Sequence, residues 1–383
     1  MTFFPKKPRR SVFIFCLSCP CVFGVIFTLF LLLWSSCEKT TTQPPPPAGP
    51  DTTSHNFVWR IDTLGEGPQF SSLWDVELIN ENDIWVVGDL RMKDTYDLDS
   101  LGNTIQPYNA AHWDGTEWEL KRIFYFAYGS ERLINPIRGI LSVSSQKFWL
   151  AAASIFYWDG GLATLSYLRD INTPEAVNKL WGNPNVYGVG DTGLLVYYDG
   201  NTWQKIESHT DIGISSIWGE IIPNETPQIF ATVSTEDGDL DSKVLKIVDN
   251  TAIEVSSDGL PNAISGIWFN SEAGYYVVGD GIYHTQTLNE KSKWVKPAPG
   301  ISDYYLESIS ATAGNDIFIV GHFGTVIHYN GSTWKNYTNA EVPFFDGIYS
   351  AVVMKGNVMV AVGYSAYGGP TRGIILTGKR ISE

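Results

Sequence analysis

The chain holds 383 residues, 44% of them hydrophobic, so it can bury a large core without covalent staples. Its formal charge is −15, and an acidic surface repels polyphosphate, which argues against nucleic acid as a partner. All four cysteines (Cys16, Cys19, Cys21, Cys37) stand at or before position 37, so the rest of the chain has no disulfide, thiol nucleophile or thiolate metal site.

The N-terminus is basic (Lys6, Lys7, Arg9, Arg10) and leads into an apolar run over 22–33 that stops at Ser35 and Ser36, just before Cys37. Behind it lies EKTTTQPPPPAGPDTTSH, polar and proline-rich, with nothing to build a core. That order reads as a secretory signal over 1–36, a cysteine that is cleaved before and lipidated, and a tether over 37–56. It resembles bacterial lipoproteins, whose lipobox is Leu-x-x-Cys with small residues before the cysteine; Trp34 stands here in the leucine position. The resemblance implies a lipid-anchored protein of the cell envelope, on the periplasmic or cell-surface side. The alternative is an uncleaved membrane helix over 12–34, which Pro20 interrupts. Losing 1–36 removes four positive charges and no negative one, leaving −19. Membrane contact is therefore expected through the anchor alone.

From residue 57 onward the chain repeats. DIWVVGD (83–89), VYGVGD (186–191), YYVVGD (275–280), DIFIVGH (316–322) and NVMVAVGY (357–364) are short apolar runs ending in Gly plus a polar or aromatic residue. Such a run suits a strand buried on both faces. Upstream of most lies another strand, as in SSLWDV (71–76) and SSIWGE (215–220). Downstream comes a third, ending in Asp-Gly or Asn-Gly: AHWDG, FYWDG, VYYDG, IHYNG. A fourth is often opened by tryptophan (Trp118, Trp203, Trp334). Asp-Gly between strands predicts a type I′ hairpin turn. The unit is a four-stranded meander.

First-strand anchors at Leu73, Ile140, Leu180, Ile217, Ile267, Ile309 and Ala351 are spaced 67, 40, 37, 50, 42 and 42 residues apart. Four-stranded propeller blades run about 40–45 residues. The long first spacing holds a polar insertion (91–108) and a loop (124–136). The last repeat has three strands, and an orphan strand, FVWRIDTL (57–64), precedes the first. The reading is an all-β, seven-bladed β-propeller over 57–383, closed by the N-terminal strand completing the last blade. The chain thus resembles bacterial extracytoplasmic β-propeller proteins with DIWxVGxxGxxxHYDGxxW repeats, a resemblance that carries fold and not function. The sialidase Asp-box, SxDxGxTW, is a different hairpin, because Asp199 and Gly200 are adjacent in YYDGNTW.

Asp89, Asp191, Asp280 and His322 follow the glycine that ends the second strand, so repetition sets them on one rim. They form the candidate ligand-face ring for a cation, a sugar or a partner's basic loop; the alternative is that they satisfy turn backbone. His112, His284 and His328 occupy the repeat position of Tyr157 and Tyr197 and are read as aromatic packing. Trp74, Trp181, Trp218 and Trp268 recur at the first strand and are read as packing between blades. EDGDLDS spaces Asp237, Asp239 and Asp241 like the start of a calcium loop, but Ser242 and Val248 break the pattern; DLDSLGN (97–103) is similarly incomplete. No cofactor is expected, with calcium at these loops as the alternative.

No GxSxG, P-loop or HExxH occurs, and no catalytic residue is assigned. The expected function is a membrane-anchored, non-catalytic, monomeric propeller that binds a protein partner or a surface glycan. The alternatives are a glycan-active hydrolase or lyase, with two acids paired across blades, and an assembly factor for a membrane complex.

Overall fold

The apolar runs ending in glycine form the second strand of their sheets, as expected of residues buried on both faces. The computed structural model describes residues 52–166, 176–182, 184–222, 226–235, 242–343, 345–366 and 369–381, within the unit Pro50–Glu383. Cys37 and the Asp237, Asp239 and Asp241 loop lie outside the described residues.

Seven antiparallel sheets follow in chain order. Blade 1 is Ser72–Asn80, Asp83–Leu90, Tyr108–Trp113 and Trp118–Lys121; blade 2 is Gly139–Ser144, Lys147–Ala151, Ile155–Trp158 and Thr164–Ser166. Blade 3 is Val177–Trp181, Val186–Gly190, Leu195–Tyr198 and Trp203–Lys205; blade 4 is Ile214–Glu220, Gln228–Val233, Lys243–Val248 and Thr251–Val255. Blade 5 is Ile264–Asn270, Gly274–Gly279 and Gly281–Thr285, with its fourth strand reduced to one bridge between His284 and Val295. Blade 6 is Leu306–Ala313, Asp316–Gly321, Val326–Tyr329 and Trp334–Asn336. Blade 7 is Gly347–Lys355, Val358–Ser365, Gly373–Arg380 and, outermost, Phe57–Leu64 from the other end of the chain. That closing strand pairs over all eight residues, Phe57 opposite Arg380 and Leu64 opposite Gly373. The first strands neighbour one another in cyclic order, blade 7 against blade 1 included. The chain is a seven-bladed propeller with its ring shut.

Each interface between blades carries an apolar cluster, for example Leu73, Val86 and Val360 between blades 7 and 1, and Phe318, Tyr349 and Ala361 between blades 6 and 7. Removing this area from water, at about 25 cal/mol per Å², is the main force holding one blade to the next.

The glycine of the repeat has a steric cause. In blades 1, 3, 5, 6 and 7 the first strand carries a bulge opposite it. The bulge drives a carbonyl toward the glycine: a Cβ on Gly190 would sit 1.9 Å from the oxygen of Ala176, and one on Gly321 2.2 Å from that of Tyr305. Blade 4 keeps the bulge with Val233 in that place.

Three expectations are corrected. Counted from the pairing opposite the repeat glycine, Val76 and Val352, not Leu73 and Ala351, match Ile217 in register; Trp74 then lies in the bulge, and Glu77 takes the place of Trp218. The Asp-Gly turns are not type I′: only the glycine is left-handed (Gly115 φ 97°, Gly200 φ 97°). Asp114 and Asp199 instead accept hydrogen bonds from backbone N–H groups two and three residues on, closing four-residue loops. Finally, the stretch expected as a loop forms a hairpin, Phe124–Ala127 with Ser130–Leu133, whose Tyr128-Gly129 turn has φ of 51° and 81°.

Candidate functional site

Up-and-down topology puts the starts of first strands, the ends of second strands and the inter-blade connections on one rim, the entry rim. The other turns lie on the opposite rim. Asp89, Asp191, Asp280 and His322 all stand on the entry rim. The backbone N–H groups of Asp191, Asp280 and His322 donate to the carbonyls of Ala176, Ala263 and Tyr305, just ahead of the first strand, at 3.2, 3.1 and 2.9 Å. One contact, repeated, braces each turn against the strand inside it.

The side chains go separate ways. Asp89 accepts from Arg91 Nε at 3.2 Å and from Asn135 Nδ2 at 3.1 Å. Asp191 accepts from Asn178 Nδ2 at 2.7 Å, with Arg138 of blade 2 at 3.9 Å. His322 Nε2 lies 2.7 Å from Glu307. Asp280 is exposed, and its carbonyl accepts from the Tyr283 hydroxyl at 3.0 Å. None of the four is paired with another, and among the described residues no group of three or more His, Cys, Asp or Glu could hold a metal ion. In the incomplete 97–103 loop, Asp99 caps its own turn through Leu101 and Asn103.

What the turns display is not in the predicted set. Thr192-Gly193 (φ 50° and 72°) and Phe323-Gly324 (φ 53° and 67°) are tight two-residue turns, a conformation that costs a β-branched or bulky residue. They hold Thr192 and Phe323 at the crest of the rim. Phe323 is 43% exposed and faces Tyr304 with ring centroids 4.6 Å apart. Phe70, 51% exposed, meets Tyr364 at 5.5 Å, and Tyr364 meets Trp74 at 5.5 Å. The sequence signal was available as a bulky residue followed by glycine, Asp-Thr-Gly and His-Phe-Gly. The rim thus offers aromatic faces between separated charges.

The repeat histidines pack as expected. His112 lies on Trp85 at 4.2 Å, His284 on Tyr276 at 4.5 Å and His328 on Phe318 at 4.4 Å, each on its cross-strand partner. Asp83 and Asp316, which open the DIW and DIF runs, each lie 2.9 Å from the Nε2 of His112 and His328. Trp181, Trp218 and Trp268 reach the next blade: Trp181 packs over Gly219, and Trp218 donates to Phe269 O at 3.1 Å. Trp74 also meets a neighbouring blade, at Tyr364 of blade 7, but does so on the entry rim from its place in the bulge.

The channel wall is stitched by side chains on the first strands. Asp75 accepts from Ile140 N at 3.1 Å, Glu77 from Ser142 N at 3.3 Å, Glu220 from Ser271 N at 2.8 Å and Ser310 from Met354 N at 3.0 Å. Lys179 of blade 3 reaches Asp75 of blade 1 at 2.9 Å. These acids serve blade assembly.

No protein-family model and no curated protein matches the chain. Solved structures do. That of YCF48 bound to a D1 peptide superposes with a TM-score of 0.57 over 88% of this chain and 100% of that one, at 13% identity. YCF48 from Cyanidioschyzon merolae gives 0.54 over 83% and 98%, also at 13% identity. U3-55K gives 0.55 over 82% and 98%, at 13% identity. At such identities the likeness is one of fold: the chain is a β-propeller.

Proposed function

We propose that the chain is a non-catalytic recognition propeller, held at the cell envelope through lipidated Cys37, whose entry rim binds a segment of a partner protein. The observation that carries this reading is the set of exposed aromatic residues on the entry rim, Phe323 on a braced turn and Tyr304 and Phe70 just ahead of first strands, between separated charges. The YCF48 structure bound to a peptide supports it, as a protein of the same fold that holds a peptide. The leader and Cys37 supply the address, and rigid turns lower the entropy lost on binding.

The test is capture by photo-cross-linking from intact membranes. Wild-type chain is expected to trap a defined partner. Tyr304→Ala with Phe323→Ala should abolish trapping, and Asp191→Asn with Asp280→Asn should weaken it, with folding intact. Cys37→Ser should move the chain to the soluble fraction. Equal trapping by the aromatic variant and wild type would overturn the rim assignment.

A further inference from the structure

At the edge where the chain enters the propeller, two imidazoles meet nitrogen to nitrogen. His55 Nδ1 lies 2.7 Å from His328 Nδ1, with the rings edge-on at 4.7 Å. A contact that short needs one hydrogen between the nitrogens and admits only one. His328 Nε2 lies 2.9 Å from Asp316 Oδ1, and the same oxygen accepts from Arg380. His55 Nε2 lies 3.0 Å from the Thr333 hydroxyl. The consistent neutral arrangement runs one way: Thr333 O–H donates to His55, His55 Nδ1–H to His328, and His328 Nε2–H to Asp316.

This chain of contacts holds the entering segment. Thr53 donates through N–H to Asn330 O at 3.0 Å and through its hydroxyl to Asn315 O at 2.7 Å, while Tyr337 donates to His55 O at 2.7 Å. Asn315 and Asn330 are in turns of the rim opposite the entry rim. A cleft of about 410 Å³ opens beside it, lined among others by His55, Trp59, Lys335, Tyr337 and Glu341.

We propose that the His55–His328 contact is an acid-sensitive catch, which fastens residues 52–56 to blade 6 at neutral pH and releases them when both imidazoles are protonated. One added proton can be absorbed, because His55 can turn its Nε2–H toward Thr333 while His328 donates from both nitrogens. A second cannot: it sets two N–H groups and two cations against each other. The charged and titratable groups around the pair are Asp316, Lys335 and Tyr337 of blade 6 and the segment after it, Glu341, and Arg380 of blade 7. Arg380 and Lys335 oppose protonation; Asp316 is engaged by Arg380 and His328, and Glu341 pairs with Lys335 at 2.6 Å.

Burial, then the neighbouring His328, Lys335 and Arg380, draw the pKa of His55 from the ordinary 6.5 down to about 4. Burial also lowers that of His328, against the pull of Asp316. A released segment binds these protons more readily than the docked one, so docking is fully favoured above pH 6.5 and weakens as the pH falls toward 4. The strand Phe57–Leu64 keeps its pairing with Gly373–Arg380, so the ring stays shut while the catch opens.

Hydrogen exchange of the full chain, read by mass spectrometry and corrected for the intrinsic pH dependence of exchange, tests this. Peptides over 53–57 should lose protection by about tenfold per pH unit for each proton taken up between pH 6.5 and 4, while 60–63 stay protected. His55→Gln and His328→Gln should each remove the step. Lys335→Gln, at a half-buried position, removes a charge that opposes protonation while leaving the pair in place, and should move the step to higher pH. Constant protection down to pH 4, or a step that persists in both histidine variants, would overturn the proposal.

Discussion

The carbonyl oxygen of Ile348 comes within 1.8 Å of the point where a Cβ on Gly363 would stand. The oxygen is backbone and the backbone fixes where a Cβ would stand, so neither can swing aside. The same crowding recurs at Gly88, where the oxygen of Ser72 is 2.0 Å from that point. Gly363→Ala is therefore expected to cost about 2–4 kcal/mol of stability. Gly161→Ala, where nothing lies within 4 Å, should be neutral or slightly stabilising. Urea midpoints of the two variants decide the matter; equal midpoints would sink the steric account.

Ser310 holds the buried backbone N–H of Met354 at 3.0 Å, joining blades 6 and 7. Ser310→Ala leaves that N–H without an acceptor, at a cost of about 1–3 kcal/mol. Ser332→Ala, on an exposed turn, should cost next to nothing. Exchange of the Met354 amide should quicken in the first variant alone.

Asp75 ties three blades, accepting from Ile140 N and from Lys179. It is 5% exposed. Asp75→Ala strands a buried N–H and an ammonium together and should cost about 3 kcal/mol. Asp75→Asn keeps an acceptor for Ile140 and should cost distinctly less. Thermal unfolding of both variants at one pH makes the comparison.

Burial raises the pKa of Glu77 above its ordinary 4.5, helped by the charge of Asp75 and opposed by hydrogen bonds from Ser142. The folded state thus holds this proton more tightly than the unfolded chain. The stability so contributed is present below pH 4.5 and is lost as the pH rises through the folded value. Glu77→Gln should therefore be no less stable than wild type at pH 7 and fall behind it toward acid, with a slope of up to about 1.4 kcal/mol per pH unit. Urea unfolding of both proteins from pH 4.5 to pH 7 provides the check, and a difference independent of pH would refute it.

Seven repeats and the closing strand could be read from residues because each rests on local patterns: an apolar run, a crowded glycine, a tryptophan opening a strand. Bulges could not, since one inserted residue leaves no mark on composition. Bulged first strands carry two apolar residues three apart, one opposite the glycine position and one past the bulge, so Leu73 matches Ile214 and Val76 matches Ile217, a distinction that composition does not make. The Asp-Gly loops were misjudged because the aspartate carboxylate, by capping its own turn, removes the need for a second left-handed residue. His328 could be recognised as packing, but its meeting with His55 could not, because 273 residues separate them. The rim positions of Asp191 and His322 followed from the repeat, whereas the display of Thr192 and Phe323 depends on backbone angles that only coordinates reveal.

Phe57–Leu64 is among the first parts of the propeller to leave the ribosome, and its partner, Gly373–Arg380, is among the last. Until synthesis nears its end, that early segment has no sheet to join. Six sheets can form in turn while it waits, and assembly finishes in a single late event at the seam. A chain cut short by a dozen residues would keep most of its blades and still lack the joint. Quality control that senses an unsealed rim could therefore separate finished molecules from aborted ones.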